Sequence, residues 1–212
     1  MANVWDIRAG LYDVCEASDY RRGLQKAALF GEMRGRVLFA AVGTGLDIKH
    51  FPPGLSIAAI DISDKMLRKA EKRTRQYNGH LELCLADAQN LLFPDASFDT
   101  VVTSCTMCSV PDPVRAFREF HRVLRPGGRL LMFEHVRSRN PILGFTLDLM
   151  TLWTRLWGTE MNRDTLANAG KAGFVITHIE SVYLDIILAV RALKPQNDRL
   201  VVDDTGAEPG AR

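Results

Sequence analysis

The sequence predicts an α/β fold with a doubly wound, mostly parallel seven-stranded sheet. Short apolar runs alternate along the chain with segments that have helical spacing. The first run, at 37–42, breaks at a Gly-Thr-Gly turn, and the second, at 57–60, ends in Asp61. In a doubly wound sheet, a glycine turn after one strand and an acid after the next both face the ligand crevice.

The composition predicts one domain with a substantial core. The chain has 212 residues, of which 47% are hydrophobic and 25% are charged, as in ordinary globular proteins. We expect a single domain over 1–194, with an acceptor-side insertion or lid at 141–161, and a disordered tail at 195–212. The net charge of +2 is too small to indicate a nucleic-acid partner.

The sequence carries no signal of export, a membrane span or a metal centre. Its first residues include Asp6 and Arg8, and no stretch reaches the ~20 apolar residues of a span. We therefore expect a cytoplasmic protein with reduced cysteines. The Cys105-x-x-Cys108 spacing is compatible with redox chemistry or zinc, but zinc needs a further pair of ligands. Buried thiols and no bound metal are the favoured interpretation.

Seven apolar or alternating runs predict the strands. The third run alternates, whereas the first, second and fourth are nearly continuous, as in buried strands. The last two runs are separated by a short connection, so we expect an antiparallel hairpin after an otherwise parallel sheet. The predicted strands lie at 36–42, 56–61, 81–86, 98–104, 129–136, 174–180 and 183–193.

Capping residues and helical spacing predict the helices. Ser63 is expected to cap a helix that starts at Asp64, because a serine hydroxyl accepts from the first turn and an acid there complements the helix dipole. The segment after Pro113 has apolar residues spaced for one buried face. The predicted helices lie at 5–33, from 64, from 113 to 124, at 141–157 and at 163–172.

The glycine turn favours a cofactor with a ribose and no pyrophosphate. The dinucleotide fingerprint G-x-G-x-x-G needs a third glycine where this chain has Ile48. Asp61, at the tip of the second strand, can accept both ribose hydroxyls of an adenosine cofactor. S-adenosylmethionine is the common cofactor of this kind. The turn alone leaves a structural role open, because Gly-x-Gly also occurs in ordinary loops.

Further motifs stand in the order found in class I S-adenosylmethionine-dependent methyltransferases, which the chain resembles over about residues 10–190. They are Val-Gly-Thr-Gly (42–45), Ile-Asp-Ile-Ser-Asp-Lys-Met (60–66), Ala-Asp-Ala (86–88), Phe-Asp-Thr-Val-Val (98–102) and Arg-Val-Leu-Arg-Pro-Gly-Gly (122–128). Stretches at 108–113, 133–136 and 162–166 resemble one branch. That branch includes phospholipid N-methyltransferases, quinone-biosynthesis C-methyltransferases and alkyl-thiol methyltransferases.

The resemblance implies a Rossmann-like methyltransferase fold and a methyl transfer from S-adenosylmethionine to a small-molecule or lipid acceptor. A phospholipid amine or an alkyl thiol is favoured. Methylation of a quinone precursor at carbon is one alternative, and a catalytically weak protein that binds S-adenosylmethionine is another. The residues implied for the cofactor are Ala41, Gly43 and Gly45 at its methionine end, Asp61 at the ribose, Ile62 and Met66 against the adenine or ribose, Asp87 and Ala88 at the adenine edge, and the backbone of Ser104 or Cys105 at the amino group.

Two positions depart from the family's pattern. Ala41 replaces the first glycine of the turn, and Phe39 stands where family members usually carry an acid. We expect Phe39 to leave a looser and more apolar cofactor pocket, which Phe39→Glu would tighten. If Phe39 is plain core, the same substitution would instead unfold the protein.

Acceptor-facing groups are expected after the fourth and fifth strands and on the following insertion. The candidates are Tyr12, Cys105, Met107, Cys108, Glu134, His135 and Arg163, of which His135, Glu134 and Tyr12 are the catalytic candidates. Alternatively, Glu134 and His135 cap local backbone amides, and Tyr12 only closes the first helix over the sheet. No metal is needed, because a sulfonium is already an excellent leaving group.

The segment 141–157 is apolar on most sides, interrupted by Asp148 and Arg155. It can be an ordinary buried helix, an apolar wall for the acceptor or a lid that makes peripheral contact with a membrane. The sequence does not predict the oligomeric state.

Overall fold

The computed structural model describes residues 2–9 and 23–196. Its strands are β1 (Arg36–Ala40), β2 (Ser56–Asp61), β3 (His80–Leu85), β4 (Phe98–Ser104), β5 (Leu124–His135), β6 (Val175–Tyr183) and β7 (Ile187–Leu193). Its helices are α1 (Ala2–Arg8), α2 (Gly23–Phe30), α3 (Asp64–Thr74), α4 (Pro113–Val123), α5 (Pro141–Thr154) and α6 (Thr165–Lys171), with 3-10 turns at Leu46–His50 and Arg155–Trp157. Tyr12, Cys15 and the predicted tail from 197 onward lie outside the described residues.

The seven strands form one sheet in the order β3-β2-β1-β4-β5-β7-β6. The first five are parallel, and β7 runs antiparallel to both β5 and β6. This confirms the predicted α/β fold. The chain reverses its direction of winding between β1 and β4, so a crevice opens at the carboxyl ends of these two strands.

Several boundaries differ from the sequence-based prediction, including those of the last hairpin, where β6 extends to Tyr183 and β7 begins at Ile187. The first helix is not continuous over 5–33, because α1 ends at Arg8 and α2 begins at Gly23, with 10–22 outside the described residues. β1 ends at Ala40, because Ala41 has a φ of 56° that leaves the extended region. β5 begins at Leu124 rather than 129, and a register shift against β4 accommodates its glycines.

β5 is an interior strand of the sheet. It is flanked by β4 and β7, so Glu134 and His135 end an interior strand and not one near the edge.

Ser63 caps α3 as predicted, since its Oγ accepts from the backbone amide of Met66 at 3.2 Å.

Phe39 belongs to the core and not to the ligand crevice. Its side chain is 1% exposed, and its ring lies 5.7 Å from that of Phe30 and 4.8 Å from that of Phe51, measured between centroids. The expectation that Phe39 loosens the cofactor pocket is therefore wrong. An unpaired carboxylate among these rings costs several kcal/mol, so Phe39→Glu is expected to unfold the protein and not to tighten cofactor binding.

Candidate active site

A cleft lies at the carboxyl ends of β1, β2, β3 and β4, beside the point where the winding reverses. It brings together every residue predicted for the cofactor except Gly45. Its lining residues are Trp5, Ala41, Gly43, Ile60, Asp61, Ile62, Met66, Ala86, Asp87, Ala88, Gln89, Ser104, Cys105, Thr106, Ser109, Val110 and Pro111. Residues from four strand ends and from α1 thus converge on one concave surface, as a bound small molecule requires.

Asp61 is held rigidly at the centre of this cleft. Its Oδ2 accepts from the amide of Gly43 at 2.8 Å, and its Oδ1 accepts from the amide of Ser63 at 2.9 Å. Burial raises the pKa of the Asp61 carboxyl, although these two amides oppose the shift. Each carboxylate oxygen keeps a further lone pair. The oriented side chain can therefore accept the two neighbouring hydroxyls of a ribose.

Gly45 acts behind the cleft and not in it. Its φ is 83°, and a Cβ there would come within 2.8 Å of Ile48 Cδ1 and 3.1 Å of the Cβ of Ala70. The glycine therefore lets the turn after β1 pack closely against α3. Its predicted position at the methionine end of the cofactor is not what the structure shows.

Ala41 occupies a backbone conformation that favours glycine, with a φ of 56°. An L residue in this region is strained by about 1 kcal/mol or more. We predict that Ala41→Gly raises the free energy of unfolding by about 1 kcal/mol, because glycine adopts the turn without this strain. Urea denaturation of the two proteins measures the effect. The control is Ala40→Gly, which leaves the strain at Ala41 in place and should lower the free energy of unfolding. A lower stability of Ala41→Gly would contradict the presence of strain at Ala41.

Glu134 supports the loop after β4 from within the core. Its side chain is fully buried, and Oε2 accepts from the amides of Thr106 at 3.0 Å and Met107 at 3.1 Å. Burial raises its pKa to about 7. It does not line the cleft. This geometry matches the interpretation of Glu134 as a cap for backbone amides. Glu134 thereby holds in place the loop whose Thr106 forms part of the cleft wall.

Of the other acceptor-facing candidates in the described part of the chain, Cys105 lines the cleft and the rest lie outside it. His135 is half-buried beside Ile187 of β7 and does not line the cleft. Met107 and Cys108 are buried, and burial raises the pKa of Cys108 to about 12. Cys105 does line the cleft, but burial likewise raises the pKa of its thiol. Neither cysteine is thus poised as a thiolate nucleophile.

Arg163 positions the cleft wall from outside. Its Nη2 donates to the carbonyl of Val110 at 2.9 Å, and its Nε lies 2.9 Å from Oε2 of Glu160. Glu160 in turn donates its backbone amide to the carbonyl of Cys108 at 2.8 Å. The segment after α5 is therefore joined to the wall formed by Ser109, Val110 and Pro111.

Sequence reasoning missed several lining residues. The run Ser109-Val110-Pro111 lies in the loop after the fourth strand, which ends at Ser104, so its place beyond a strand end was a usable signal. Trp5 is different, because nothing in its local sequence relates it to strand ends that are far away in the chain. Its place in the cleft is decided by the packing of α1.

The lining residues fit S-adenosylmethionine. Asp61 offers oriented acceptors for ribose hydroxyls, the apolar side chains of Ile62 and Met66 flank it, and Asp87 and Ala88 lie at the adjoining strand end. Ala41 and Cys105, which both have a positive φ, line the cleft after β1 and β4. When bound, the cofactor supplies a methyl group on a positively charged sulfur. The protein supplies its orientation, which can lower a barrier by ~7–11 kcal/mol.

Comparisons with known proteins agree with this geometry. Residues 38–132 match the family model described as a methyltransferase domain. The chain is 37% identical over 111 residues to a phosphatidylethanolamine N-methyltransferase from Cereibacter sphaeroides, covering 51% of this chain and 55% of that one. It is 38% identical over 119 residues to a ubiquinone/menaquinone biosynthesis C-methyltransferase from Hahella chejuensis, covering 53% and 48%. It is also 32% identical over 147 residues to a thiol S-methyltransferase from Rattus norvegicus, covering 65% and 59%.

The chain spans about half the length of the curated relatives that it matches. A solved SAM-dependent methyltransferase from Thermotoga maritima has the same fold, with a TM-score of 0.69 at 21% identity, covering 92% of this chain and 100% of the other. The strand order, the cleft that orients Asp61 and these matches lead to one conclusion. Residues 38–132 are similar to a methyltransferase domain, and the chain has the fold of a solved S-adenosylmethionine-dependent methyltransferase.

Proposed function

We propose that this protein transfers a methyl group from S-adenosylmethionine to an apolar or lipid-like acceptor, with a phospholipid amine or an alkyl thiol as the favoured classes. The observation that carries the proposal is an exposed apolar face on α5, which is followed by a turn bonded to a helix that lines the donor cleft. The relatives methylate, by their names, a phospholipid amine, a quinone precursor or a thiol. The face on α5 favours acceptors with an alkyl chain.

The apolar face of α5 points away from the core. The helix buries only Gly144, Leu147 and Thr151, which lie on one side. The opposite side and the 3-10 turn that follows carry large apolar residues, each between 54% and 78% exposed, which are Ile142, Phe145, Leu149, Leu152, Trp153 and Leu156. The interpretation of 141–157 as an ordinary buried helix is therefore wrong. Soluble monomers rarely expose an apolar patch of this kind without a ligand or a partner.

The turn that follows this apolar face is bonded to α1, the helix whose Trp5 lines the donor cleft. Trp157, which follows α5, accepts a hydrogen bond at its carbonyl from Arg8, one helical turn from the cleft residue Trp5. The chain beyond it reaches the opposite wall through Glu160 and Arg163. An acyl or alkyl chain on α5 can thus direct a polar head toward the cleft.

The same face supports peripheral contact with a membrane. Trp153 and Trp157 are 73% and 64% exposed, and indole rings favour the depth of lipid headgroups. Asp148, the acid within the helix, is neutralised by Arg137 at 2.7 Å. None of the helices in the described part of the chain combines the length and the apolar character that a membrane span needs. We propose that α5 lies on the bilayer surface while its acceptor is bound.

The ionisable side chains that line the cleft support an acceptor whose own atom attacks the methyl group without a base from the protein. Among the described residues that line the cleft, these groups are Asp61, Asp87 and Cys105. Asp61 is committed to backbone amides, and Asp87 accepts from the amide of Gln89 at 2.8 Å. A thiolate or a neutral amine, formed when the acceptor loses its proton to water, attacks a sulfonium methyl group without a protein base, and the sulfonium leaves as a neutral thioether. This chemistry favours alkyl thiols and phospholipid amines over a carbon nucleophile.

We predict that the methylation rate rises with the chain length of the acceptor. Each methylene buried on α5 gains up to ~0.8 kcal/mol, which is roughly fourfold in affinity. Trp153→Ala should lower the rate severalfold, reduce this dependence and leave cofactor affinity unchanged. The measurement is the initial rate of S-adenosylhomocysteine release with homologous series of alkyl thiols, amine phospholipids and quinone precursors. Cofactor affinity is measured in parallel by calorimetry.

The control is Val175→Ala, which removes an exposed apolar side chain from the distant edge strand β6. A flat dependence on chain length in all three series would contradict the role of α5. Cofactor binding without turnover in any series would support the alternative of a catalytically weak binding protein, and turnover of quinone precursors alone would support carbon methylation.

A further inference from the structure

Helix α1 connects the donor cleft to the loop at 61–63, which begins with the proposed ribose-binding residue Asp61. Trp5 lines the cleft together with the residues that follow the strand ends. Its neighbour Asp6 accepts a hydrogen bond from Ser63 Oγ at 2.5 Å. Ser63 donates its backbone amide to Asp61 Oδ1, so α1 is tied to the residue that orients the ribose-binding carboxylate. Lys69 of α3 holds the end of α1 through the carbonyl of Ala9.

The same helix is joined to the acceptor side through Arg8. The Arg8 guanidinium lies 4.4 Å from the centre of the Trp5 ring. Its Nη1 donates to the carbonyl of Trp157 at 2.9 Å and to Thr159 Oγ1 at 3.2 Å. Arg8 therefore contacts, with one rigid group, both the side chain in the donor cleft and the segment that ends α5.

We propose that Trp5 contacts the bound donor and that α1 couples donor binding to the position of the acceptor-side segment 155–160. The inference rests on the proposed function, since its ligand is the S-adenosylmethionine donor. α1 lies outside residues 38–132, which the methyltransferase family model matches. The strand ends form the floor of the cleft, and the indole of Trp5 forms a wall that a bound adenosyl group would cover.

The coupling follows from the geometry of Arg8. Its guanidinium can satisfy the Trp157 carbonyl and the Trp5 ring only when both are in place. A donor that fixes Trp5 therefore also fixes the residues after α5, and by reciprocity an ordered acceptor side favours donor binding. The donor and acceptor sites are thus expected to fill cooperatively.

The first test measures the binding of S-adenosylhomocysteine by calorimetry. Trp5→Ala is expected to weaken binding about tenfold, because a large apolar contact area is lost. Trp5→Phe should retain most of the affinity, and Arg118→Ala, an exposed arginine on α4, should retain all of it. Equal affinity of wild type and Trp5→Ala, with both proteins folded by circular dichroism, would overturn the inference. Failure of the wild type to bind would instead overturn the proposed function.

The second test measures hydrogen exchange of the amides in 155–160. S-adenosylhomocysteine should slow their exchange at least severalfold in the wild type and in Arg118→Ala. In Arg8→Ala, at saturating ligand, this protection should be lost while protection around Asp61 remains. Equal protection in Arg8→Ala, or none in the wild type, would show that α1 does not couple the two sites.

Discussion

Asp61→Ala should weaken cofactor binding at least tenfold, because the carboxylate is expected to accept two ribose hydroxyls and hydrogen bonds to a charged group are worth roughly 1.5–3 kcal/mol each. The side chain also orders the cleft itself, since it accepts from the amides of Gly43 and Ser63. The loss should therefore exceed that of the ribose contacts alone. Calorimetric titration with S-adenosylhomocysteine measures it directly.

Asp61→Asn is a second variant at the ribose site. Burial raises the pKa of Asp61, so its ionised form does not gain stability from folding. Asparagine keeps the volume but offers one acceptor oxygen for the amides of Gly43 and Ser63, so we expect it to fold with a stability lower by about 1–3 kcal/mol and to bind the cofactor poorly. Glu71→Ala, an exposed acid on α3, is the matched control. Wild-type affinity in both Asp61 variants would contradict the assignment of the ribose site.

Glu134→Ala should lower the free energy of unfolding by roughly 3 kcal/mol or more, because it removes the acceptor of two buried amides and leaves a cavity. Each amide costs about 1–3 kcal/mol when it is left unsatisfied. The amides belong to Thr106 and Met107, so the cleft wall should loosen as well. Guanidinium denaturation, with S-adenosylhomocysteine binding measured on the folded fraction, gives both effects. Full stability of Glu134→Ala would contradict the capping role.

Glu134 also predicts how stability depends on pH. Its pKa is raised from 4.5 to about 7 in the folded protein, chiefly by burial. The folded state therefore holds a proton that the unfolded chain has lost, and the free energy of unfolding from this group falls as pH rises from about 4.5 to 7. Glu134→Gln keeps an oxygen for both amides and should remove this slope. Glu82→Gln, an exposed acid on β3, should leave it unchanged.

Unfolding curves of the wild type, Glu134→Gln and Glu82→Gln at several pH values test whether Glu134 causes this dependence of stability on pH. A wild-type slope that persists unchanged in Glu134→Gln would assign the proton to another group. The sequence left a catalytic and a capping role open for Glu134, and the inward direction of its side chain favours the capping role.

Local sequence patterns were enough to specify the sheet and the floor of the donor cleft. Apolar runs specify buried strands, and the glycine turn and Asp61 follow directly from strand ends, whose relative position the doubly wound topology fixes. Local chemistry also sufficed for Ser63 as a helix cap. In each case the deciding interaction lies within a few residues or within a regular pattern.

Features that depend on contacts between distant segments were set by the packing of the folded chain. Phe39 aligns with a ligand-site position of the family, yet its side chain packs into the core against Phe30 and Phe51. Glu134 turns inward to cap amides from another loop, and Trp5 reaches the cleft because its neighbours on α1 are bonded to Ser63 and Trp157. The apolar pattern of α5 specified a helix but not which side it buries. The buried side depends on which elements pack against the helix, because a helix that is apolar on most of its sides can bury any one of those sides.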